Sequence, residues 1–66
     1  MNITMKQARV GANMTQQDVA DKMGIHVQTY QRMENHPEDI TIRQGKLFSN
    51  IVGVCFEDIF FTKDSN

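Results

Sequence analysis

Apolar residues recur along this chain at spacings of three and four, in short groups separated by polar or turn-forming residues. That pattern belongs to amphipathic helices rather than strands. Met5, Ala8 and Val10 form the first group, and Thr4 with Gln7 has the spacing of a capping box, in which each side chain satisfies a backbone N–H. A helix is expected there, ending near Ala12, because Gly11 weakens its last turn and Asn13 tolerates the left-handed conformation that closes a helix. Thr15 and Asp18 resemble a second cap with Met14 as its apolar staple, and Val19, Ala20 and Met23 line one face of a second helix that Gly24 ends. A third helix follows at once, its buried stripe running from Ile25 through Tyr30 and Met33, while Val27, Gln28, Gln31, Arg32 and Asn35 spread over the other faces. Residues 16–35 therefore read as two short helices around a tight turn, with hydrogen-bonding side chains left facing outward on the second.

Beyond them, Pro37 forces its predecessor out of helix, so residues 35–40 read as a loop. Thr41 and Gln44 open a fourth helix through about Val52, with Ile42, Phe48, Ile51 and Val52 as its stripe and Gly45 marking a close helix contact. Gly53 ends it, and residues 54–60 read as a final short helix carrying Phe56, Ile59 and Phe60. The expected organisation is one domain over 1–66, with an ordered core at about 3–61 and a frayed tail at 62–66.

Composition narrows the chemistry. A chain of 66 residues buries only about 60% of the surface that its unfolded form exposes, so stability should be modest. The lone cysteine, Cys55, excludes an internal disulfide framework, and with His26 and His36 it makes no metal cluster. No metal and no cofactor are expected, and a reducing, cytoplasmic setting fits. No targeting or membrane-spanning stretch is visible. The net charge is −1, which argues against tight non-specific binding to nucleic acid; such cationic character as there is lies in the N-terminal half, on Lys6, Arg9, Lys22 and Arg32.

These residues carry a resemblance. The chain resembles the DNA-binding domain of the phage Cro and repressor family of helix-turn-helix proteins, also called the xenobiotic-response-element family, over roughly residues 3–60. Met14-Thr15-Gln16 stands for the family's Leu-Thr-Gln, Glu34-Asn35 for its Glu-Asn, Val52-Gly53-Val54 for its Leu-Gly-Val and Ile59-Phe60 for its terminal Leu-Phe, with Ala20 and Gly24 in place. The resemblance implies an all-α fold, a compact five-helix, lambda-repressor-like bundle that places the third helix in the major groove of double-stranded DNA, as a homodimer on a two-fold, palindromic operator. Carried over by position, the base-reading sites fall on His26, Val27, Gln28 and Arg32, with Gln31 a possible addition, and the phosphate contacts on Thr15 and Gln16. Gln28 suits adenine, Arg32 suits guanine, and Val27 offers apolar contact to a thymine methyl. His26 meets either phosphate or water. Arg9 and Glu34 match an ion pair that bridges the first helix to the end of the third.

Two departures stand out. The loop after the third helix, often basic in the family, is here His-Pro-Glu-Asp, and Glu38 and Asp39 would repel a DNA backbone. Either the loop tilts away, with Arg43 and Lys46 supplying the phosphate contact, or affinity stays low until a second subunit or a protein partner joins. Tyr30 replaces a β-branched aliphatic, so its hydroxyl needs a partner or solvent. Phe60 and Phe61 are candidate dimer-interface residues; the alternative is that Phe61 folds back onto its own helix.

The expected function is a sequence-specific DNA-binding transcriptional regulator, a repressor or Cro-like protein of phage or bacterial type. The alternative is a protein-interaction module, or an antitoxin-like partner, that keeps the fold with weak or no operator binding. No catalytic nucleophile, base and orienting group lie at motif spacing, so enzymatic activity is not expected.

Overall fold

Three threonines start three of the helices, and each does so by the same reciprocal pair of bonds. In the computed structural model, which describes residues 2–60, Thr4, Thr15 and Thr41 each accept the backbone N–H of the residue three positions on, and the side chains of Gln7, Asp18 and Gln44 accept the threonine N–H in return. The helices that follow are α1 (Met5–Gly11), α2 (Gln16–Met23) and α4 (Ile42–Val52), and between the last two lies α3 (Val27–Asn35). Asn13, at φ 58°, turns the chain from α1 towards α2. Gly24 and Gly53, at φ 74° and 76°, end α2 and α4 in the left-handed region where a Cβ is strained.

The core is a single cluster to which every helix contributes: Met5 and Ala8, Val19 and Ala20, Tyr30 and Met33, Phe48 and Val52. The rings of Tyr30 and Phe48 stack with centroids 6.1 Å apart and tie α3 to α4. Ala20 and Gly45 are both buried, consistent with small residues where helix backbones approach closely. Met14 packs against the cluster, as a staple over α2 should.

Three sequence expectations need correction. Val10 is 55% exposed, because the inward face of α1 runs through Met5, Ala8 and Arg9 and leaves position 10 roughly a quarter-turn away. Ile42 is 69% exposed; it is the first residue of α4, and since side chains lean towards the helix N-terminus it projects past the end of the core. The expected fifth helix is absent among the described residues. Residues 54–60 instead form a short 3-10 turn, Phe56–Asp58, followed by a two-residue strand, β2 (Ile59–Phe60), which pairs in parallel with β1 (Ile3–Thr4) in the register Ile3 to Ile59 and Thr4 to Phe60. Cys55, at the start of that turn, makes no side-chain cap bond, and a helix of this length without a cap has too few internal bonds to offset its nucleation cost. Pairing with β1 satisfies the same backbone groups and buries Ile59. The loop after α3 also contains a 3-10 turn, Pro37–Asp39. Among the described residues the fold is thus all-α in substance, with four α-helices closed by one small strand pair. The expectations for the Phe60 side chain, for Phe61 and for the tail at 62–66 lie outside the described residues, and no helix of the described residues is long and apolar enough to cross a membrane.

Candidate functional site

The turn between α2 and α3 is only three residues long, and its backbone bonds fix the relation of the two helices. The N–H of Ile25 donates to the Ala20 carbonyl at 3.0 Å and that of Gly24 to the Asp21 carbonyl at 3.2 Å. This is the paired closure that a left-handed glycine makes at a helix end, here with Ile25 packed against the core as its apolar contact. His26 then caps α3 with its backbone alone, since its side chain makes no cap bond.

Beneath this motif sits Glu34, the centre of the polar structure. Its Oε2 accepts from Arg9 Nε at 2.6 Å and from the Tyr30 hydroxyl at 2.6 Å, and its Oε1 accepts from Gln16 Nε2 at 3.1 Å and from Arg9 Nη2 at a longer 3.5 Å. The Arg9 and Glu34 side chains are 10% and 6% exposed, so the ion pair expected from sequence is present and largely buried. Arg9 Nη1 donates further to the Met14 carbonyl at 3.0 Å, tying α1 to the start of α2. Burial opposes ionisation of Glu34, but the hydrogen bonds from Arg9, Tyr30 and Gln16 outweigh it and hold the carboxyl below its ordinary value. The hydrogen bond to Glu34 raises the Arg9 guanidinium in return. Burial pushes the Tyr30 hydroxyl far above its usual range, and its bond to the Glu34 carboxylate adds to the effect. Tyr30, the departure from the family pattern, thus finds its partner one helical turn along α3. Among the described residues, no buried side-chain nitrogen or oxygen lacks a hydrogen bond.

The outward residues divide in two. Gln28, Gln31 and Arg32 are exposed on α3, as is His26 at its start. Val27 is half-buried and packs on the core, so only part of its surface is left for an outside contact. Gln31 is not independent of α2, because its Nε2 donates to Gln16 Oε1 at 3.1 Å. Thr15 uses its hydroxyl oxygen on the Asp18 N–H at 3.0 Å. Arg43 and Lys46 are exposed on α4, and Glu38 and Asp39 are exposed in the intervening turn, where His36 Nδ1 lies 3.6 Å from Glu38. An open cleft of about 320 Å³ between α3 and this turn has Arg32, His36, Asp39 and Gln44 in its walls. Sequence reasoning missed the Tyr30 to Glu34 and Gln16 to Glu34 bonds; the four-residue spacing of Tyr30 and Glu34 is the signal that pointed to the first.

The model of the helix-turn-helix family matches residues 5–54 of the chain. The chain is also similar to an uncharacterized HTH-type transcriptional regulator of Methanocaldococcus jannaschii, with 33% identity over 64 residues that cover 97% of each protein. No solved structure matches significantly.

Proposed function

The chain belongs to the helix-turn-helix family, and from that premise we propose that it is a sequence-specific regulator of transcription that reads double-stranded DNA with α3 in the major groove. The observation that carries the reading is the division of α3 into two faces. Tyr30 and Met33 are buried, and Glu34 is anchored beneath them, while Gln28, Gln31 and Arg32 stand exposed on one helix held rigidly by its neighbours. A major groove about 12 Å wide admits one such helix, and amide and guanidinium groups match the edges of adenine and guanine. His26 and the exposed part of Val27 would lie at the end of α3 that enters first.

The N-terminus of α2 supplies the phosphate contact. Thr15 satisfies the Asp18 N–H, which leaves the first amides of the helix to meet an anion with the help of Gln16. Arg43 and Lys46 contribute charge from α4, offsetting Glu38 and Asp39. The described residues extend 30 × 21 × 18 Å, less than the roughly 34 Å between half-sites on one face of a duplex, so one copy covers one half-site and a palindromic operator takes two. Phe60 and Phe61 are the proposed contact between copies. Sedimentation across concentration tests that contact: association that weakens in Phe61→Ser supports it, and a strict monomer at high micromolar concentration removes it for the DNA-free protein.

Selection from a random duplex library tests the function itself. A regulator enriches one short, two-fold symmetric sequence, and Arg32→Ala relaxes one base position at a cost of about 1–3 kcal/mol. Enrichment of no sequence would favour a protein-interaction or antitoxin-like module, the reading that the exposed Glu38 and Asp39 suit best.

A further inference from the structure

We propose that Gln31 is a specificity-determining residue whose amide is held in one orientation by Glu34, acting through Gln16. The inference deepens the DNA-reading proposed above and rests on it.

The relay follows from what each group can donate and accept. An ionised carboxylate only accepts, and Glu34 is engaged on Oε2 by Arg9 and by Tyr30, while its Oε1, which also takes a longer bond from Arg9 Nη2, faces Gln16. Gln16 must therefore present its Nε2 there; turned round, its carbonyl oxygen would face a carboxylate oxygen with no proton between them. With that end fixed, Gln16 Oε1 points the other way, towards α3, and can only accept. Gln31 meets it with Nε2 at 3.1 Å. A buried ion pair thus sets the direction of two successive amides on the surface of the molecule.

The consequence is chemical. Gln31 is exposed, and having spent one N–H on Gln16 it offers outward one N–H and Oε1, a donor beside an acceptor. Adenine presents the complementary pair in the major groove, a donor at N6 and an acceptor at N7, whereas guanine presents two acceptors. A free glutamine could turn to suit either neighbour, but this one is held. Gln31 is therefore a reader of adenine, and Gln16 is a positioning residue for it in addition to any phosphate contact of its own.

The test measures affinity for the selected duplex and its single-base variants with the full chain and with Gln31→Ala, Gln16→Ala and the double variant, after melting curves establish that each folds. Gln31 is exposed, so Gln31→Ala should change the melting temperature little, whereas Gln16→Ala also loses a hydrogen bond to the Glu34 carboxylate and should lower it, so affinities are compared at a temperature where every variant is folded. The wild type should prefer adenine at one position by about 5- to 150-fold, the range of one bidentate amide contact. Gln31→Ala should abolish that preference. Gln16→Ala should abolish most of it at the same position although Gln31 is intact, and the double variant should be no less selective there than Gln31→Ala. A Gln16→Ala protein that weakens on all duplexes alike while keeping the preference overturns the relay and leaves DNA-reading intact. Unchanged selectivity in Gln31→Ala overturns the assignment of the reader. A wild type without any base preference overturns both proposals, and the wild-type arm alone reveals it.

Discussion

The carboxylate of Glu34 takes two hydrogen bonds of 2.6 Å on one oxygen, from Arg9 on α1 and Tyr30 on its own helix, and on the other a bond of 3.1 Å from Gln16 on α2 and a longer one of 3.5 Å from Arg9. Removing it strands a guanidinium that is otherwise only about a tenth exposed, and losing one partner of a buried pair costs about 3–5 kcal/mol. Glu34→Ala should therefore lower the melting temperature steeply, while Glu38→Ala, at an exposed position, changes it little; equal small shifts would contradict a structural role for the pair. Tyr30→Phe removes one hydrogen bond to a charged group and should cost about 1.5–3 kcal/mol in chemical denaturation. The sign of the pH dependence follows from the depressed folded value of Glu34. Its stabilising effect is complete above the unfolded carboxyl value of about 4.3 and is lost as pH falls through the lower folded value. The stability gap between the wild type and Glu34→Gln should accordingly narrow below about pH 4. The Arg9 to Glu34 pair was legible through the family resemblance. Of the other partners, Tyr30 had only its four-residue spacing from Glu34 as a signal, and Gln16 had none, because nothing in a sequence says which of several distant polar side chains a carboxylate will bind.

At the scale of elements, the beginnings and ends of helices were the most legible features. Each is decided by one or two residues in their own local geometry, as Thr15 with Asp18 and Gly24 are for α2. Gly53→Ala tests this in isolation. A Cβ there meets no atom within 4 Å, so the cost is that of placing a side chain at positive φ, about 1–2 kcal/mol. Thr41→Ala should cost about 1 kcal/mol through the lost cap of α4, and denaturant midpoints check both. The region after Gly53 was misread for the opposite reason. Its fate is decided by a partner 56 residues away in sequence: Ile59 lies in register with Ile3, and a strand pair of two residues leaves no periodic signature. Ile42 was misplaced because spacing alone does not say where along a helix the core ends, and Val10 because the inward arc of α1 passes through Arg9 and leaves the next residue about a quarter-turn outside it. The outward face of α3 was legible as a polar stripe, but the half-burial of Val27 and the bond between Gln31 and Gln16 depend on how α2 and α3 are docked.

For the whole molecule, a net charge of −1 means that any DNA binding must come from local placement of charge and amides rather than from a general cationic field. Loss of Lys46 in Lys46→Ala should weaken binding to all duplexes alike and reduce the salt slope by about one unit. Neutralising the turn with Glu38→Gln and Asp39→Asn together should strengthen binding without changing the preferred sequence, because repulsion of the phosphate backbone carries no base information. Fluorescence anisotropy over a range of salt concentrations reads out both effects. The exposed face of α3, held from beneath by Glu34, is the surface proposed to meet DNA. Amide and side-chain NMR shifts of the labelled protein, titrated with the duplex enriched from the random library, test it most directly. The largest changes are expected at Gln28, Gln31 and Arg32 and at the first residues of α2, with Gln31 and Gln16 side-chain amides moving together. Changes confined to the surface that Pro37, Ile40, Ile42 and Phe56 line, with α3 silent, would contradict it.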